Sequence, residues 1–168
     1  QRVKNFYQTT NSIISNAGTL KTKGYEAELD YQWNALKLTA GVSYADPKAD
    51  FALSNDPLNV IPQGRQWSTG VSYKFVEPSL EIGWLGRYAQ SKEYKTGAAP
   101  KVETRKRIGY GVHDIFVNWQ PLNQDNFNVN FTVKNIGNKF YRSHSQRNLE
   151  VTPPSPGREF KLGMNYSF

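Results

Sequence analysis

Tyr25-Glu-Ala-Glu-Leu-Asp-Tyr-Gln-Trp33, a break at Asn34-Ala35, then Leu36-Lys-Leu-Thr-Ala-Gly-Val-Ser-Tyr44 is the stretch whose reading decides the fold. Successive side chains of a strand point to opposite faces. Tyr25, Ala27, Leu29, Tyr31 and Trp33 therefore share one face, and Glu26, Glu28, Asp30 and Gln32 share the other. After the break, Leu36, Leu38, Ala40, Val42 and Tyr44 alternate with Lys37, Thr39, Gly41 and Ser43. Two amphipathic strands joined by a two-residue turn predict an antiparallel hairpin.

The same period recurs outward from this hairpin. Trp67, Thr69, Val71, Tyr73 and Phe75 oppose Ser68, Gly70, Ser72 and Lys74, and Leu80, Ile82 and Trp84 oppose Glu81 and Gly83. Ile115, Val117 and Trp119 stand against Asp114, Phe116 and Asn118, a less regular phase that predicts a bulge near His113. Phe127, Val129, Phe131 and Val133 alternate with Asn128, Asn130, Thr132 and Lys134. The chain closes on Phe160, Leu162, Met164, Tyr166 and Phe168 against Lys161, Gly163, Asn165 and Ser167. This makes seven full strands, with a polar piece from Val3 to Gln8 as the remnant of another.

Composition narrows what such a sheet can be. The 168 residues suit one domain, and the absence of cysteine removes disulfide frameworks and thiolate metal sites. Mean hydropathy is −0.68, yet 14% of the residues are aromatic, too many for a disordered chain. No apolar run is long enough for a transmembrane helix, but a barrel of alternating strands is compatible with low mean hydropathy. The net charge of +7 calls for an anionic partner without choosing among nucleic acid, lipid phosphate or an acidic ligand.

Connection lengths add direction. Short links fall at Asn34-Ala35, Glu77-Pro78-Ser79 and Leu122 to Asn126, and long ones run from Asp46 to Gly64, Lys92 to Arg105 and Lys139 to Pro156. Short and long connections thus occupy opposite ends, as in outer-membrane barrels with tight periplasmic turns. A soluble β-sandwich or lipocalin-like barrel would also alternate. However, Trp33, Phe75, Trp119, Phe127 and Phe168 all lie next to the short turns, where a membrane interface places amphipathic rings. The charged face, with Glu26, Glu28, Lys37, Lys74, Lys134 and Lys161, then lines a wet lumen.

The terminal strand Phe160-Lys-Leu-Gly-Met-Asn-Tyr-Ser-Phe168 resembles the last strand of outer-membrane proteins, whose final aromatic is read by the barrel assembly machinery. Asn135-Ile-Gly-Asn-Lys-Phe-Tyr-Arg142 is similar to the element N-L-F-(D/N)-K-x-Y of TonB-dependent receptors, departing from it at Ile136 and Gly137. Pro156-Gly-Arg158 and Lys23-Gly-Tyr-Glu-Ala-Glu-Leu29 resemble further elements of that family in the right order. The resemblance implies an all-β fold, an antiparallel transmembrane β-barrel segment. Its seven to eight strands would belong to a 22-stranded barrel, with residues 1–168 as the C-terminal portion. A plug domain and TonB box, which are not recognisable in this sequence, would link it to the TonB complex. Gly109-Tyr-Gly-Val-His-Asp-Ile-Phe-Val-Asn-Trp-Gln-Pro121 resembles a segment of the haem and haemoprotein receptors, implying haem as a transported ligand rather than an intrinsic cofactor, and a haem-carrying protein as partner.

Against that expectation, His144, Arg142 and Arg147 in the last long connection offer an imidazole for iron and guanidinium groups for propionates. A loop histidine is otherwise simply solvated. His113 beside Asp114 is a barrel-wall histidine or a tautomer-fixing pair. Glu26, Glu28 and Asp30 are lumen lining rather than a metal site, with Lys37, Arg87 and Lys134 as ion-pair partners. Arg105-Lys106-Arg107 with Lys101 is a solvated run, or one facing lipopolysaccharide phosphates or an anionic ligand rather than nucleic acid. Asp50, Asn55 and Asp56 lack the spacing of a calcium loop. No nucleophile elbow, phosphate loop or dinucleotide fingerprint is present, so no enzyme is expected. The functions in play are an iron-ligand receptor, either haem or ferric siderophore, and a self-contained eight-stranded barrel with a structural or adhesin role. An outer-membrane enzyme using His144 or His113 would need a hydroxyl partner and a carboxylate in reach.

Tyr166 and Phe168 make the terminus an assembly signal and part of the periplasmic girdle. Removing Phe168 should lower the amount of heat-modifiable barrel recovered from the outer membrane. Normal recovery of the truncated chain would contradict this.

Overall fold

The computed structural model describes residues 2–10, 13–49, 63–96, 103–121, 126–145 and 153–167. Eight strands form one antiparallel sheet in the order β1-β2-β3-β4-β5-β8-β9-β10: β1 (Arg2–Thr10), β2 (Ile13–Trp33), β3 (Leu36–Ala49), β4 (Gly64–Phe75), β5 (Leu80–Ala89), β8 (Tyr110–Trp119), β9 (Phe127–Lys134) and β10 (Glu159–Tyr166). Two further strands, β6 (Lys92–Thr96) and β7 (Glu103–Arg107), pair only with each other. The polar remnant at Val3 to Gln8 is a full strand, and β2 begins twelve residues before Tyr25. Both stretches lack apolar alternation. The expected connection from Lys92 to Arg105 carries the β6-β7 hairpin.

The register fixes the faces. Leu36, Tyr73, Ile82, Val117, Phe131 and Leu162 form one cross-strand row on the apolar face, and Lys37, Ser72, Gly83, Phe116, Thr132 and Lys161 form the neighbouring row on the polar face. Phe116, whose phase confuses the sequence pattern, is accommodated because its ring lies over Gly83: a Cβ there would stand 2.2 Å from the ring. The β5-β8 register runs unbroken through His113, so β8 has no bulge against β5. The irregularity lies opposite, where Asn135 has φ 50° and Ile136 N–H donates to His113 O at 2.9 Å.

Among the described residues the apolar residues that are buried are Ala89, Val112 and Val133, while Leu29, Trp33, Tyr73, Ile82, Phe160, Leu162 and Met164 are 45–66% exposed on one continuous face. Among the described residues no second layer covers that face, as a soluble sandwich would require. An apolar surface this extended is unsuited to water. It suits lipid, whose lack of hydrogen-bonding partners requires strand backbones to be paired within the ladder. Aromatic residues mark both interfaces: Tyr25 and Trp33 on β2, and Trp67 and Phe75 on β4 are each eight residues apart. Eight residues span about 26 Å along a strand, and about 20 Å once tilted, close to the height of the apolar band of such barrels.

At the short turns, Asn34 (φ 52°) and Ser79 (φ 45°) occupy left-handed conformations. Asparagine tolerates these through local hydrogen bonding, so a two-residue turn forms without glycine.

Leu38 is on the outer face and Thr39 on the inner, beside Gly70. Leu38 is one row inside the aromatic band at the short turns, so Leu38→Arg should cost about 2 kcal/mol and lower assembly in vesicles. Thr39→Arg should fold at near-normal yield. Equal tolerance would mean the faces are reversed.

Candidate functional site

The strands end, away from the short turns, in two side-chain assemblies that organise the long connections. The first centres on Asn135, 2% exposed. Its positive φ turns its N–H away from the ladder to Asp114 Oδ1 at 2.8 Å. Asp114 Oδ2 in turn accepts from Arg87 Nη2 at 2.9 Å. The Asn135 amide donates to Lys139 O (2.9 Å) and Pro156 O (3.3 Å) and accepts from Lys139 N–H (2.9 Å). Asn138 repeats the device, its Oδ1 accepting from Arg158 N–H at 2.9 Å. Both asparagines therefore clamp the two ends of the last long connection, and Ser155 N–H closes it further on Tyr141 O.

The second assembly centres on His144, which is 1% exposed. Its Nδ1 lies 2.6 Å from Gln63 O and its Nε2 lies 3.0 Å from Ile108 O. In either neutral tautomer one nitrogen donates. Arg107, itself 2% exposed, donates from Nη1 to His144 O. Burial lowers the pKa of Arg107 from its ordinary value, while the nearby Tyr94 acts in the opposite direction. Tyr110 packs edge-on to the imidazole at 5.5 Å and lies 4.5 Å from the Tyr141 ring. One imidazole thus ties together the segments that end the first and second long connections and the body of the third.

These ties reveal what spacing concealed. His144 is a buried crosslink rather than a solvated loop residue. Arg142 is exposed, with its guanidinium 5.8 Å from the Phe140 ring, and both residues line one cavity of about 250 Å³ with Ile108, Tyr141, Lys106 and Lys139. Arg147 and Phe168 lie outside the described residues. The basic run separates: Arg105 pairs with Glu103 at 3.0 Å, Lys106 is exposed, and Arg107 is buried. His113 does not meet Asp114. It faces outward between Trp84 (stacked, 5.5 Å) and Tyr88, and its Nδ1 has no hydrogen-bond partner.

On the polar face, Glu26, Glu28, Lys37, Lys74, Lys134 and Lys161 all share the side opposite the apolar wall. Lys161 reaches Glu159 at 3.6 Å, and Arg87 is engaged by Asp114. A cavity of about 310 Å³ opens there between Glu26, Glu28, Ser68, Arg87, Tyr110 and Ser143. Among the described residues no group of three or more His, Cys, Asp or Glu could hold a metal ion.

A wall of antiparallel strands, greasy outside, polar inside and tied at its long-loop end, is a segment of an outer-membrane β-barrel. Residues 1–136 match the family model described as TonB dependent receptor-like, beta-barrel, and the chain belongs to that family. It is 27% identical over 161 residues to the TonB-dependent heme receptor A of Haemophilus ducreyi, covering 87% of this chain and 20% of that protein. The FrpB iron transporter from Neisseria meningitidis (F3-3 variant) superposes with a TM-score of 0.86 at 39% identity, covering 99% of this chain and 26% of that one. The Pseudomonas aeruginosa ferripyoverdine receptor shares the fold at 18% identity and TM-score 0.69, over 99% of this chain and 24% of that receptor. The chain thus spans about a fifth of the curated relative's length, and it is a bacterial outer-membrane barrel segment.

Asn135→Ala removes three hydrogen bonds and places alanine at positive φ, and should destabilise the folded barrel by about 2–4 kcal/mol. Protease should then cut more readily within residues 139–156. Gly137→Ala is the control, because a Cβ there meets nothing within 4 Å. Similar protease resistance in Asn135→Ala and the parent would show that the clamp is dispensable.

Proposed function

We propose that this segment forms the C-terminal portion of a TonB-dependent receptor-transporter that captures an iron-bearing ligand outside the cell and passes it through the barrel, with haem as the cargo. The observation that carries the reading is the cavity at the long-loop end. Ile108 (77% exposed), Phe140 (72%) and Tyr141 give it apolar walls, and Lys106, Lys139 and Arg142 give it a cationic rim. A flat apolar ligand with carboxylates fits that pattern, the rings receiving its face and the guanidinium its propionates. The similarity to a haem receptor points the same way.

In this reading Arg142, and Arg147 from the same connection, hold the propionates, and His144 acts first as the tie that shapes the cavity. Ligation of iron by its imidazole would require release from Gln63 O or Ile108 O. Glu26, Glu28, Lys37, Lys74, Lys134 and Lys161 line the passage. Energy arrives from the TonB complex through a plug domain, and the reading assigns no catalysis to the chain. A ferric siderophore or iron itself is the second reading. It is favoured by the engagement of both His144 nitrogens and by the higher identity to a protein described as an iron transporter.

The test uses cells whose complete receptor is the sole outer-membrane route for iron. Growth on haem is expected, and Arg142→Gln should reduce it several-fold at limiting haem without lowering the amount of barrel. Growth on a ferric siderophore but not on haem would transfer the cargo to the second reading, and growth on neither, with the barrel assembled, would defeat both.

A further inference from the structure

The inner face of the wall is polar except along one strip. Among the described strand residues the large apolar side chains that are exposed all stand on the outer face except Leu85, which is 41% exposed and which the register turns inward with Glu81 and Arg87. Phe116, half-buried, stands on the same face one row nearer the short turns on β8, and Tyr110 heads that strand. Beside them the inward positions of β3, β4 and β5 are Thr39, Gly41, Ser68, Gly70, Ser72 and Gly83. Glycine weakens a strand interior and marks close approach. Here a Cβ at Gly70 would stand 2.9 Å from Leu85 Cδ2, and one at Gly83 would stand 2.2 Å from Phe116 Cζ. Both apolar side chains therefore lie down along the wall and present their breadth to the lumen. Filling gaps does not account for them, because Ser68 Oγ fills the space at Gly41 and Thr39 Oγ1 shares that at Gly70 without exposing apolar surface.

We propose that this strip is a second haem station, inside the barrel, over which the cargo passes on leaving the loop cavity; the proposal rests on the reading of haem as that cargo. Apolar surface exposed in a wet lumen gains from being covered by an apolar face. Continuity with the capture cavity gives the strip its occupant. The Tyr110 ring lies 4.5 Å from Tyr141 and packs edge-on to His144, two residues that line the loop cavity, while Tyr110 itself lines the lumen cavity with Arg87. One ring thus stands between the two cavities. The chemistry also repeats: outside, apolar walls carry a rim of Lys106, Lys139 and Arg142, and inside, Leu85 and Phe116 are flanked by Arg87 and, diagonally across the β8-β9 ladder, by Lys134. Arg87 is half-exposed and bonds Asp114 through Nη2. A guanidinium has five N–H donors, so that bond leaves others for a propionate. A cargo coated with polar groups gains nothing from Leu85 and Phe116.

Cells whose complete receptor is the sole outer-membrane route for iron would be scored for haem retained at the surface after energy poisoning, and for haem entering the periplasm of energised cells. Leu85→Gln/Phe116→Gln should retain surface haem as the parent does, while entry falls about tenfold with the amount of barrel unchanged. Leu85→Met/Phe116→Leu, which keeps the strip apolar, should import haem at close to the parental rate. Parental entry in the Gln variant, or equal loss in both variants, overturns the proposal and leaves the cargo reading standing. A fall in entry accompanied by leakage of a large hydrophilic dye into the periplasm would mean that the strip seats a plug domain, and overturns it as well. A parent that neither retains nor imports haem defeats the cargo reading and this proposal together. If the Gln variant does not assemble, Leu85→Ala/Phe116→Ala decides by the same criteria, with a fall of roughly threefold expected.

Discussion

Hydrocarbon offers no hydrogen-bond partner to a peptide group, and this constraint organises the molecule. It requires continuous ladders across the membrane, and β2-β3 and β3-β4 meet it with unbroken registers. It also reverses the usual place of apolar side chains, so that Leu29, Ile82 and Leu162 face outward while Glu81 and Asn118 bond across the inner face at 3.2 Å. Small residues on that inner face leave space for larger neighbours, as Gly83 does for Phe116. The apolar wall, the aromatic bands and the polar face all follow from pairing the backbone next to lipid.

Where the strands leave the membrane the constraint relaxes, and side chains replace the ladder. Asn135 turns its N–H to Asp114 and uses its amide to hold the backbone on both sides of a long connection. Asp114 is nearly buried and is balanced by Arg87, so the carboxylate is neither unpaired nor without donors. Arg107, also buried, donates to the main-chain carbonyl of His144. The mouth is thus held by a few buried polar knots rather than by an apolar core.

What was legible in the sequence follows the same division. Membrane-crossing strands were readable because lipid on one side and water on the other impose a period of two, and Trp33, Phe75 and Trp119 marked their ends. The β6-β7 hairpin was not, since Lys92-Glu-Tyr-Lys-Thr96 and Glu103-Thr-Arg-Lys-Arg107 lie outside the membrane and no apolar face was needed. The outer part of β2 was hidden for the same reason. Asn135 was visible as part of a family element but not as a clamp, and its use depends on Asp114 and Pro156, each 21 residues away. His144 is legible in the sequence as a candidate iron ligand or a solvated loop residue, but not as a buried tie, because its partners, Gln63 and Ile108, are 81 and 36 residues distant. No local pattern announces contacts so far apart.

The chemistry of the His144 tie separates scaffold from specificity. Both groups that face its ring nitrogens are main-chain carbonyls, one of them accepting its N–H in either neutral tautomer, and so is the group through which Arg107 holds it. A main-chain acceptor survives most changes of the side chain that carries it. Residues in the intervening connections can therefore be exchanged while Gln63, Ile108 and His144 supply the same anchors. Exposed positions such as Ile108, Phe140 and Arg142 can then be exchanged without disturbing these anchors. Loops carry recognition best when a rigid scaffold positions them. Here the scaffold extends beyond the barrel rim to one buried imidazole, so the lining of the cavity can change by substitution without altering the wall.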